Sequence, residues 1–180
     1  MAVTDLTLGD VLLDSDTIAA RVAELGAQIS KSYGDLDQPL IMVCVLKGSL
    51  FFTADLGRAM TIPVEFDCIA VRSYGHRTVS SGSVELVKDI QTPIGGRDVL
   101  LVEDIIDTGN TTSYLFGHLA RHEPRSLKLV ALLDKPTRRE TEVPLAFRGF
   151  EIPNRFVVGY GLDHAERFRN LRDVRLVNEA

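Results

Sequence analysis

Three apolar runs of the sequence each end in residues that can bind charge. They are residues 40–46 followed by Lys47-Gly48, residues 99–102 followed by Glu103-Asp104, and residues 127–133 followed by Asp134-Lys135. Ammonium groups bind anions, and neighbouring carboxylates accept hydrogen bonds from sugar hydroxyls or hold a hydrated Mg²⁺ ion. A single strand that ends in polar residues is ordinary, because water begins there. Three such ends together favour a binding site.

Residues 99–112 contain the most specific pattern, reading Val-Leu-Leu-Val-Glu-Asp-Ile-Ile-Asp-Thr-Gly-Asn-Thr-Thr. Gly109 allows a tight turn, and the amides that open the following helix favour a phosphate. Neither the Walker loop nor the GxGxxG pattern is present. Acids directly before such a loop suit a sugar phosphate. Capping of the turn would explain either acid alone, but it explains the whole segment poorly.

The elements that must position these residues follow from apolar spacing. Ile18, Val22, Leu25 and Ile29 are spaced four, three and four apart, which predicts a helix that begins at Asp14 or Ser15 and ends at Gly34. The continuous apolar runs predict buried strands. Further predicted helices lie at about 49–60 and from 112 to about 122, and further strands at 64–72, 84–88 and 156–160.

This alternation predicts an α/β fold with a mainly parallel sheet flanked by helices, and with a small hood formed by the chain ends. Ligands of such sheets bind beyond the carboxyl ends of the strands, where the three polar strand ends would meet. Residues 73–83 are mostly small and polar with two glycines, so we expect a mobile functional loop there. One domain over residues 1–180 accounts for the whole length.

Composition excludes several functional classes. The chain has 20 Lys and Arg against 25 Asp and Glu, a net charge of −5, and therefore no basic field for nucleic acid. Cys44 and Cys68 both lie in apolar runs and are expected to be reduced thiols. The first ten residues lack the features of a signal peptide, and no apolar run approaches the roughly 20 residues of a membrane helix. We expect a cytoplasmic protein without a membrane partner.

The segment 99–112 resembles the phosphoribosyl pyrophosphate (PRPP) signature of the type I phosphoribosyltransferases. Other segments are similar to the 6-oxopurine branch of that family and occur in the family's order: residues 46–48, 73–75, 134–136, 156–163 and 167–171. The resemblance covers most of the chain. It implies a type I phosphoribosyltransferase fold and a purine salvage reaction. Phosphoribose would pass from PRPP to N9 of hypoxanthine or guanine, giving IMP or GMP and pyrophosphate.

The resemblance implies how PRPP would be bound. Glu103 and Asp104 would contact the ribose hydroxyls and Mg²⁺, directly or through water. The 5′-phosphate would lie against Asp107, Thr108, Gly109, Asn110 and Thr111. Asp107 also matches the family's general base at purine N7; an ordinary aspartate, with a pKa near ~3.9, is ionised at neutral pH and can accept that proton.

Pyrophosphate recognition is implied at three further positions. Lys47 and Gly48 match the family's pyrophosphate loop, which often has a non-proline cis peptide bond before the lysine. Arg169 matches a pyrophosphate-binding arginine, whose forked donors suit phosphate oxygens. Asp163 matches a position associated with a second Mg²⁺ ion and with the purine edge. Without a ligand, Lys47 would be an exposed strand-end lysine, and the arginines of residues 167–175 a solvated face.

Base recognition is implied at three more positions. Lys135 would donate a hydrogen bond to purine O6; because an ammonium only donates, it disfavours adenine. Phe156 would stack on the purine, although core packing is the commoner fate of a lone phenylalanine. Val157 would present its backbone to the base. Ser73 and Tyr74 match the start of a lid that closes and excludes water.

Some features depart from the family or stay open. Asn110 stands where some relatives have lysine, and His164-Ala165 replaces a Tyr-Asn-like pair, so the fine base preference is open. His118 and His122 are four residues apart on a helix and could hold a metal, but no third ligand is evident, and we expect surface histidines.

Two other functions compete with this reading. The first is a nucleotide- or RNA-binding regulator of the same fold, and the second is a transferase for another base such as xanthine or a pyrimidine. The family resemblance also implies a homo-oligomer, either a dimer or a tetramer.

Overall fold

The computed structural model describes residues 7–73 and 84–178. Its strands are β1 (Thr7–Leu13), β2 (Leu40–Leu46), β3 (Val64–Ser73), β4 (Val84–Lys88), β5 (Asp98–Ile106), β6 (Ser126–Asp134), β7 (Leu145–Glu151), β8 (Val157–Val158) and β9 (Val174–Asn178). Its helices are α1 (Ser15–Tyr33), α2 (Leu50–Ala59) and α3 (Asn110–Ala120). The predicted lid lies outside the described residues, except for Ser73, whose backbone ends β3.

The main sheet has six strands in the order β4-β3-β2-β5-β6-β7. All neighbouring pairs are parallel except β3 and β4, which are antiparallel. Strand β2 is buried along nearly its whole length. The α/β prediction with a mainly parallel sheet is therefore confirmed, and the carboxyl ends of β2, β5 and β6 meet at one edge.

Helices cover both faces of the main sheet. Apolar residues of α1 and α2 pack with Met42 and Leu100 on one face. Leu115 and Leu119 of α3 pack with Ile41 and Val43 on the other face. Burial of alternate strand residues against two helical layers explains why these strands are apolar throughout rather than alternating.

Helix α1 shows how local signals fix an element. Asp14 caps it by accepting a hydrogen bond from the Thr17 amide at 2.8 Å, and the four periodic apolar side chains are all buried. Gly34 ends it with a φ of 63°, a conformation that glycine adopts without strain. Both ends agree with the prediction.

The hood is a three-stranded sheet in the order β1-β9-β8, formed by the two ends of the described chain. Thr7 and Asn178 form the terminal residue pair between β1 and β9. A hood from the chain ends was expected, but β1 and β9 were not predicted as strands, and neither was β7 at the edge of the main sheet. Their apolar patterns are short and interrupted by charged or polar residues.

Two predicted elements differ in extent. The strand expected at 156–160 is reduced to Val157–Val158, because Gly159, Tyr160 and Gly161 all adopt positive φ and turn the chain. Helix α3 begins two residues before the predicted start and ends at Ala120. Cys44 and Cys68 both carry free thiols. Over the described ranges, no helix has the length and apolarity needed to cross a bilayer.

Candidate functional site

A cavity of about 290 Å³ lies at the carboxyl edge of the main sheet, where β2 and β5 end. Ten of the predicted site residues line it: Lys47, Gly48, Glu103, Asp104, Asp107, Thr108, Gly109, Thr111, Asp163 and Arg169. A larger cavity of about 560 Å³ lies between α1, α2 and residues 169–172, and Arg169 borders both. The smaller cavity is the candidate site, because the polar strand ends converge there.

The phosphate loop, residues 107–112, is held by backbone and side-chain hydrogen bonds, most of them to residues 138–141. The carbonyl oxygen of Thr108 accepts hydrogen bonds from the amides of Glu140 (2.9 Å) and Thr141 (3.0 Å). Gly109 has a φ of 88°, and a Cβ there would overlap the Thr141 carbonyl oxygen, so the position requires glycine. Gly109 has no side chain with which to cap α3, and the Asn110 amide makes only a long hydrogen bond, donating to Thr108 Oγ1 at 3.4 Å. A helix N-terminus of this kind favours an anion.

Two carboxylates at the end of β5 lie in the wall of the cavity. Glu103 is 4% exposed and accepts a hydrogen bond from the Thr112 hydroxyl at 3.3 Å. Burial, together with the charge of Asp104, raises the pKa of Glu103 well above its usual range. Burial also raises the pKa of Asp104 to about 6, against the opposing effects of nearby backbone amides and Arg169. A Cβ on Gly48 would collide with the Asp104 carboxylate, so the two residues are in close contact.

The donor chemistry of this wall suits Mg²⁺. Carboxylate oxygens are its preferred protein ligands, and a divalent cation would relieve the crowding of buried negative charge. Within the described chain, Glu103, Asp104 and Asp163 nevertheless do not form a tight three-ligand group. The arrangement therefore fits an ion held by one or two carboxylates and completed by water and ligand phosphate, which is the usual manner of Mg²⁺.

Four charged side chains form what we call the ion-pair cluster: Lys47, Asp163, Glu166 and Arg169. Lys47 Nζ lies 2.9 Å from Glu166 Oε2, and Arg169 Nη2 lies 2.8 Å from Asp163 Oδ1 and 3.4 Å from Glu166 Oε1. Lys47 and Glu166 are mostly exposed. The peptide bond between Leu46 and Lys47 is cis, as the family resemblance leads one to expect. Both expected pyrophosphate-binding cations are thus paired with acids.

Asp107 lies between two cations. Its Oδ1 accepts a hydrogen bond from Arg138 Nε at 3.0 Å, and its Oδ2 lies 3.9 Å from Lys135 Nζ. Lys135 is only 6% exposed, and burial lowers the pKa of its ammonium although the charge of Asp107 opposes that effect. A nearly buried donor and an accessible carboxylate therefore lie side by side next to the phosphate loop.

The aromatic residue expected to stack on a base is free to do so. Phe156 is 48% exposed, which excludes core packing, and its ring contacts the edge of the His164 ring at a centroid distance of 5.6 Å. Val157 is buried in β8. Asn110 is exposed and donates to Glu140 at 3.1 Å. Tyr74 lies outside the described residues.

Sequence reasoning missed two side chains that contact the predicted ones. Arg138 contacts Asp107, and Glu166 contacts both Lys47 and Arg169. Sequence spacing gives a signal for both, but only once the local turns are known. Arg138 follows Lys135 by three residues on a single 3₁₀ turn, and Glu166 lies three residues from Asp163 and from Arg169.

Comparison with known proteins gives concordant results. A model of the phosphoribosyl transferase domain matches residues 9–165. The hypoxanthine-guanine phosphoribosyltransferase of Mycobacterium tuberculosis (strain CDC 1551 / Oshkosh) is 50% identical over 165 residues, covering 89% of this chain and 82% of that protein. The hypoxanthine phosphoribosyltransferase of Escherichia coli (strain K12) is 46% identical over 162 residues, covering 90% and 91%.

A solved structure is also similar. The crystal structure of a hypoxanthine-guanine phosphoribosyltransferase from Bacillus anthracis, with a HEPES molecule in its active site, superimposes with a TM-score of 0.89 at 41% identity. The superposition covers 96% of this chain and 100% of that one. The likeness therefore extends over both the main sheet and the hood.

Proposed function

The chain belongs to the phosphoribosyl transferase family, and we propose that it is a purine salvage enzyme that transfers phosphoribose from PRPP to N9 of hypoxanthine or guanine. The products are IMP or GMP and pyrophosphate. One observation supports this base class above others: the buried ammonium of Lys135 and the carboxylate of Asp107 lie 3.9 Å apart beside the phosphate loop.

This pair complements one edge of a 6-oxopurine. O6 and N7 are neighbours on that edge, and Lys135 can donate to O6 while Asp107 faces N7. When N9 attacks C1′ of PRPP, the N9–C1′ bond forms and the bond to pyrophosphate breaks. Asp107 accepts the proton that leaves N7. The 6-amino group of adenine donates instead of accepting, so it would leave the Lys135 ammonium unpaired.

Arg138 gives Asp107 a fixed orientation. Its Nε hydrogen bond to Oδ1 leaves Oδ2 for the base proton. Arg138 therefore acts as a positioning residue behind the base.

PRPP would lie across the whole cavity. The phosphate loop, with the Thr108 and Thr111 hydroxyls and the amides at the start of α3, binds the 5′-phosphate. Glu103 and Asp104 accept hydrogen bonds from the ribose hydroxyls. Lys47 and Arg169 exchange their carboxylate partners for pyrophosphate oxygens. Phe156 and the Val157 backbone contact the purine.

Mg²⁺ is the cofactor that these residues suit. Glu103, Asp104 and Asp163 are the residues that would hold it. When bound, the ion offsets the negative charge that develops on the leaving pyrophosphate. The protein's own contribution is to place oxygen ligands where the phosphates lie.

Three further predictions complete the proposal. Residues 73–83, with Ser73 and Tyr74 at their start, act as a lid that excludes water from the reacting C1′ centre. The protein acts in the cytoplasm, and it assembles as a homo-oligomer, a dimer or a tetramer.

A steady-state assay with PRPP and Mg²⁺ across four bases tests the proposal. We expect turnover with hypoxanthine and guanine, and at least ~10⁴-fold lower kcat/KM with adenine, because adenine leaves a buried donor unpaired. Absence of turnover with both 6-oxopurines in folded protein would contradict the proposal. Turnover with xanthine alone would support the transferase for another base.

A Lys135→Gln variant sharpens the same assay. An amide side chain can both donate and accept a hydrogen bond, so it no longer penalises a 6-amino group. We expect the ratio of hypoxanthine to adenine kcat/KM to fall by about 10-fold or more. An unchanged ratio would remove Lys135 from base selection.

A further inference from the structure

Asp89, His118 and His122 form a cluster away from the candidate site. One ligand atom from each lies within 4.8 Å of the others, and within residues 7–73 and 84–178 no other group of three histidine, cysteine or acidic side chains is so close. His118 lies in the last turn of α3, and His122 lies in the turn that follows the end of the helix at Ala120, so the expectation that both lie on the helix is correct only for His118. The structure supplies the third ligand that the sequence does not reveal, from the connection between β4 and β5.

The distances suit a small metal ion. His118 Nε2 lies 2.9 Å from Asp89 Oδ1 and 3.0 Å from Oδ2. Two ligands at about 2.0–2.1 Å from a tetrahedral Zn²⁺ ion lie about 3.3 Å apart, so this pair needs to separate by only a few tenths of an ångström. The His122 ring lies with its centroid 5.4 Å from that of His118 and, being exposed, can turn toward the same point.

The ligands are held in place by their neighbours. Asp89 Oδ1 accepts a hydrogen bond from the Ile90 amide at 2.8 Å. The His118 side chain is 13% exposed and stacks beside Tyr114. Its Nδ1 faces Arg121 Nη2 at 3.1 Å. Arg121 is exposed and can turn away when Nδ1 takes the proton that a metal on Nε2 would require.

The cluster lies at the far end of α3 from the phosphate loop. Helix α3 begins at Asn110 in the loop, and His118 follows eight residues later, about 12 Å along the axis. An ion at the cluster would therefore not share ligands with one held by Glu103 or Asp104. It would instead tie the connection that follows β4 to the C-terminal end of α3.

We propose that Asp89, His118 and His122 bind one Zn²⁺ ion, with water in the remaining position. Two imidazoles and a carboxylate with an open fourth position are a common zinc ligand set. Imidazole nitrogen disfavours Mg²⁺, which takes oxygen ligands, so the two metals occupy separate places in one protein.

Calorimetric titration of the untagged protein with ZnCl₂, in a large excess of Mg²⁺, tests the site. The excess Mg²⁺ occupies the carboxylates of the candidate active site and leaves the histidine cluster open. We expect one equivalent of Zn²⁺ to bind. His118→Ala and His122→Ala should each weaken binding by about 10-fold or more, and Asp89→Asn should weaken it too. Asp35→Asn, an exposed acid elsewhere, is the matched control and should change nothing.

Titration with Co²⁺ adds a spectroscopic readout, because a tetrahedral site with nitrogen ligands gives visible absorption that His122→Ala should abolish. His122 is exposed, so this variant keeps the test valid even if His118→Ala disturbs α3. Absence of saturable Zn²⁺ binding, or binding that survives both histidine substitutions unchanged, would overturn the proposal.

Discussion

The phosphate loop and the ion-pair cluster both border one cavity and are built in different ways. The loop is fixed by backbone hydrogen bonds to residues 140 and 141 and by a glycine at positive φ. The cluster is held mainly by side-chain ion pairs, with Lys47 66% exposed and Glu166 64% exposed, although Arg169 Nη1 also donates to the Gly161 carbonyl oxygen at 2.8 Å. One side is rigid, whereas the other is composed of contacts that can be exchanged.

This structural difference suggests that the phosphate loop and the ion-pair cluster have different functions. The exposed Lys47–Glu166 pair contributes only about 0.2–1 kcal/mol, so phosphate oxygens can replace Glu166 at little cost, whereas the side chains of the Arg169–Asp163 pair are only 22% and 27% exposed. A preformed backbone cradle holds one phosphate in a single place and needs no rearrangement. We therefore expect the loop to govern orientation and chemistry, and the cluster to govern the binding and release of pyrophosphate.

Asp107→Asn should have the largest effect, because it removes the proton acceptor but keeps the shape of the loop. We expect kcat to fall by about 10²–10⁴-fold while KM for PRPP changes only a few-fold. Steady-state kinetics with guanine measures both constants. A variant with full kcat would show that the loop binds but does not catalyse.

Gly109→Ala should have the next largest effect, because a Cβ would overlap the Thr141 carbonyl oxygen at a φ of 88°. We expect kcat/KM for PRPP to fall by about 100-fold and the free energy of unfolding to fall by about 1–3 kcal/mol.

Gly117→Ala is the matched control for that substitution. It lies within α3, the helix that Gly109 precedes, and in the part of the chain that the structure describes its Cβ would meet nothing within 4 Å. It should keep activity and, by helix propensity, stability. If Gly109→Ala and Gly117→Ala had the same kcat/KM for PRPP and the same free energy of unfolding, the phosphate loop would not be a rigid binding element.

Arg169→Gln tests the exchangeable side. It removes a charged donor that we expect to contact pyrophosphate, so KM for PRPP should rise by about 10-fold with kcat much less affected. Arg167→Gln removes the same charge from an exposed neighbour that does not line the cavity, and it should change neither constant. A decrease confined to kcat would show that Arg169 acts in the chemical step rather than in the binding of pyrophosphate, and it would contradict the proposed difference between the loop and the cluster.

Glu166→Gln should have the smallest effect, and in the opposite direction. It removes the carboxylate that competes with pyrophosphate for Lys47 and Arg169, so KM for PRPP should fall by about 2–5-fold. Asp16→Asn, an exposed acid on α1, is a control for the change in net charge. A rise in KM would show that Glu166 supports the cations rather than competing for them.

The sequence predicts the rigid side of the site better than the exchangeable side. Gly109 and the acids before it are recognisable because strand, turn and helix follow one another directly along the chain. Arg138 and Glu166 were missed because their roles depend on where a 3₁₀ turn and a loop with positive φ direct them. Asp89 was missed for a related reason: it reaches His118 only after the chain has folded across 29 residues.

The main sheet and the hood differ in the same way. Continuous apolar runs identify β2 and β5 because both faces of these strands are buried. Strands β1 and β9 have mixed patterns because each has residues that remain exposed, and their pairing depends on the opposite end of the chain. Sequence patterns are local, so long-range pairs of this kind escape them.

The register that joins Thr7 to Asn178 has a kinetic consequence. Among the described residues, this pair closes a loop that contains nearly the whole chain, which costs more conformational entropy than closing a shorter loop, although the cost grows only slowly with length. The hood sheet is therefore expected to assemble last during folding and to open first in native fluctuations. Amide hydrogen exchange in β8 and β9 should be faster than in β2. Opening of the hood would then displace Phe156, which directly precedes β8, while the main sheet stays intact.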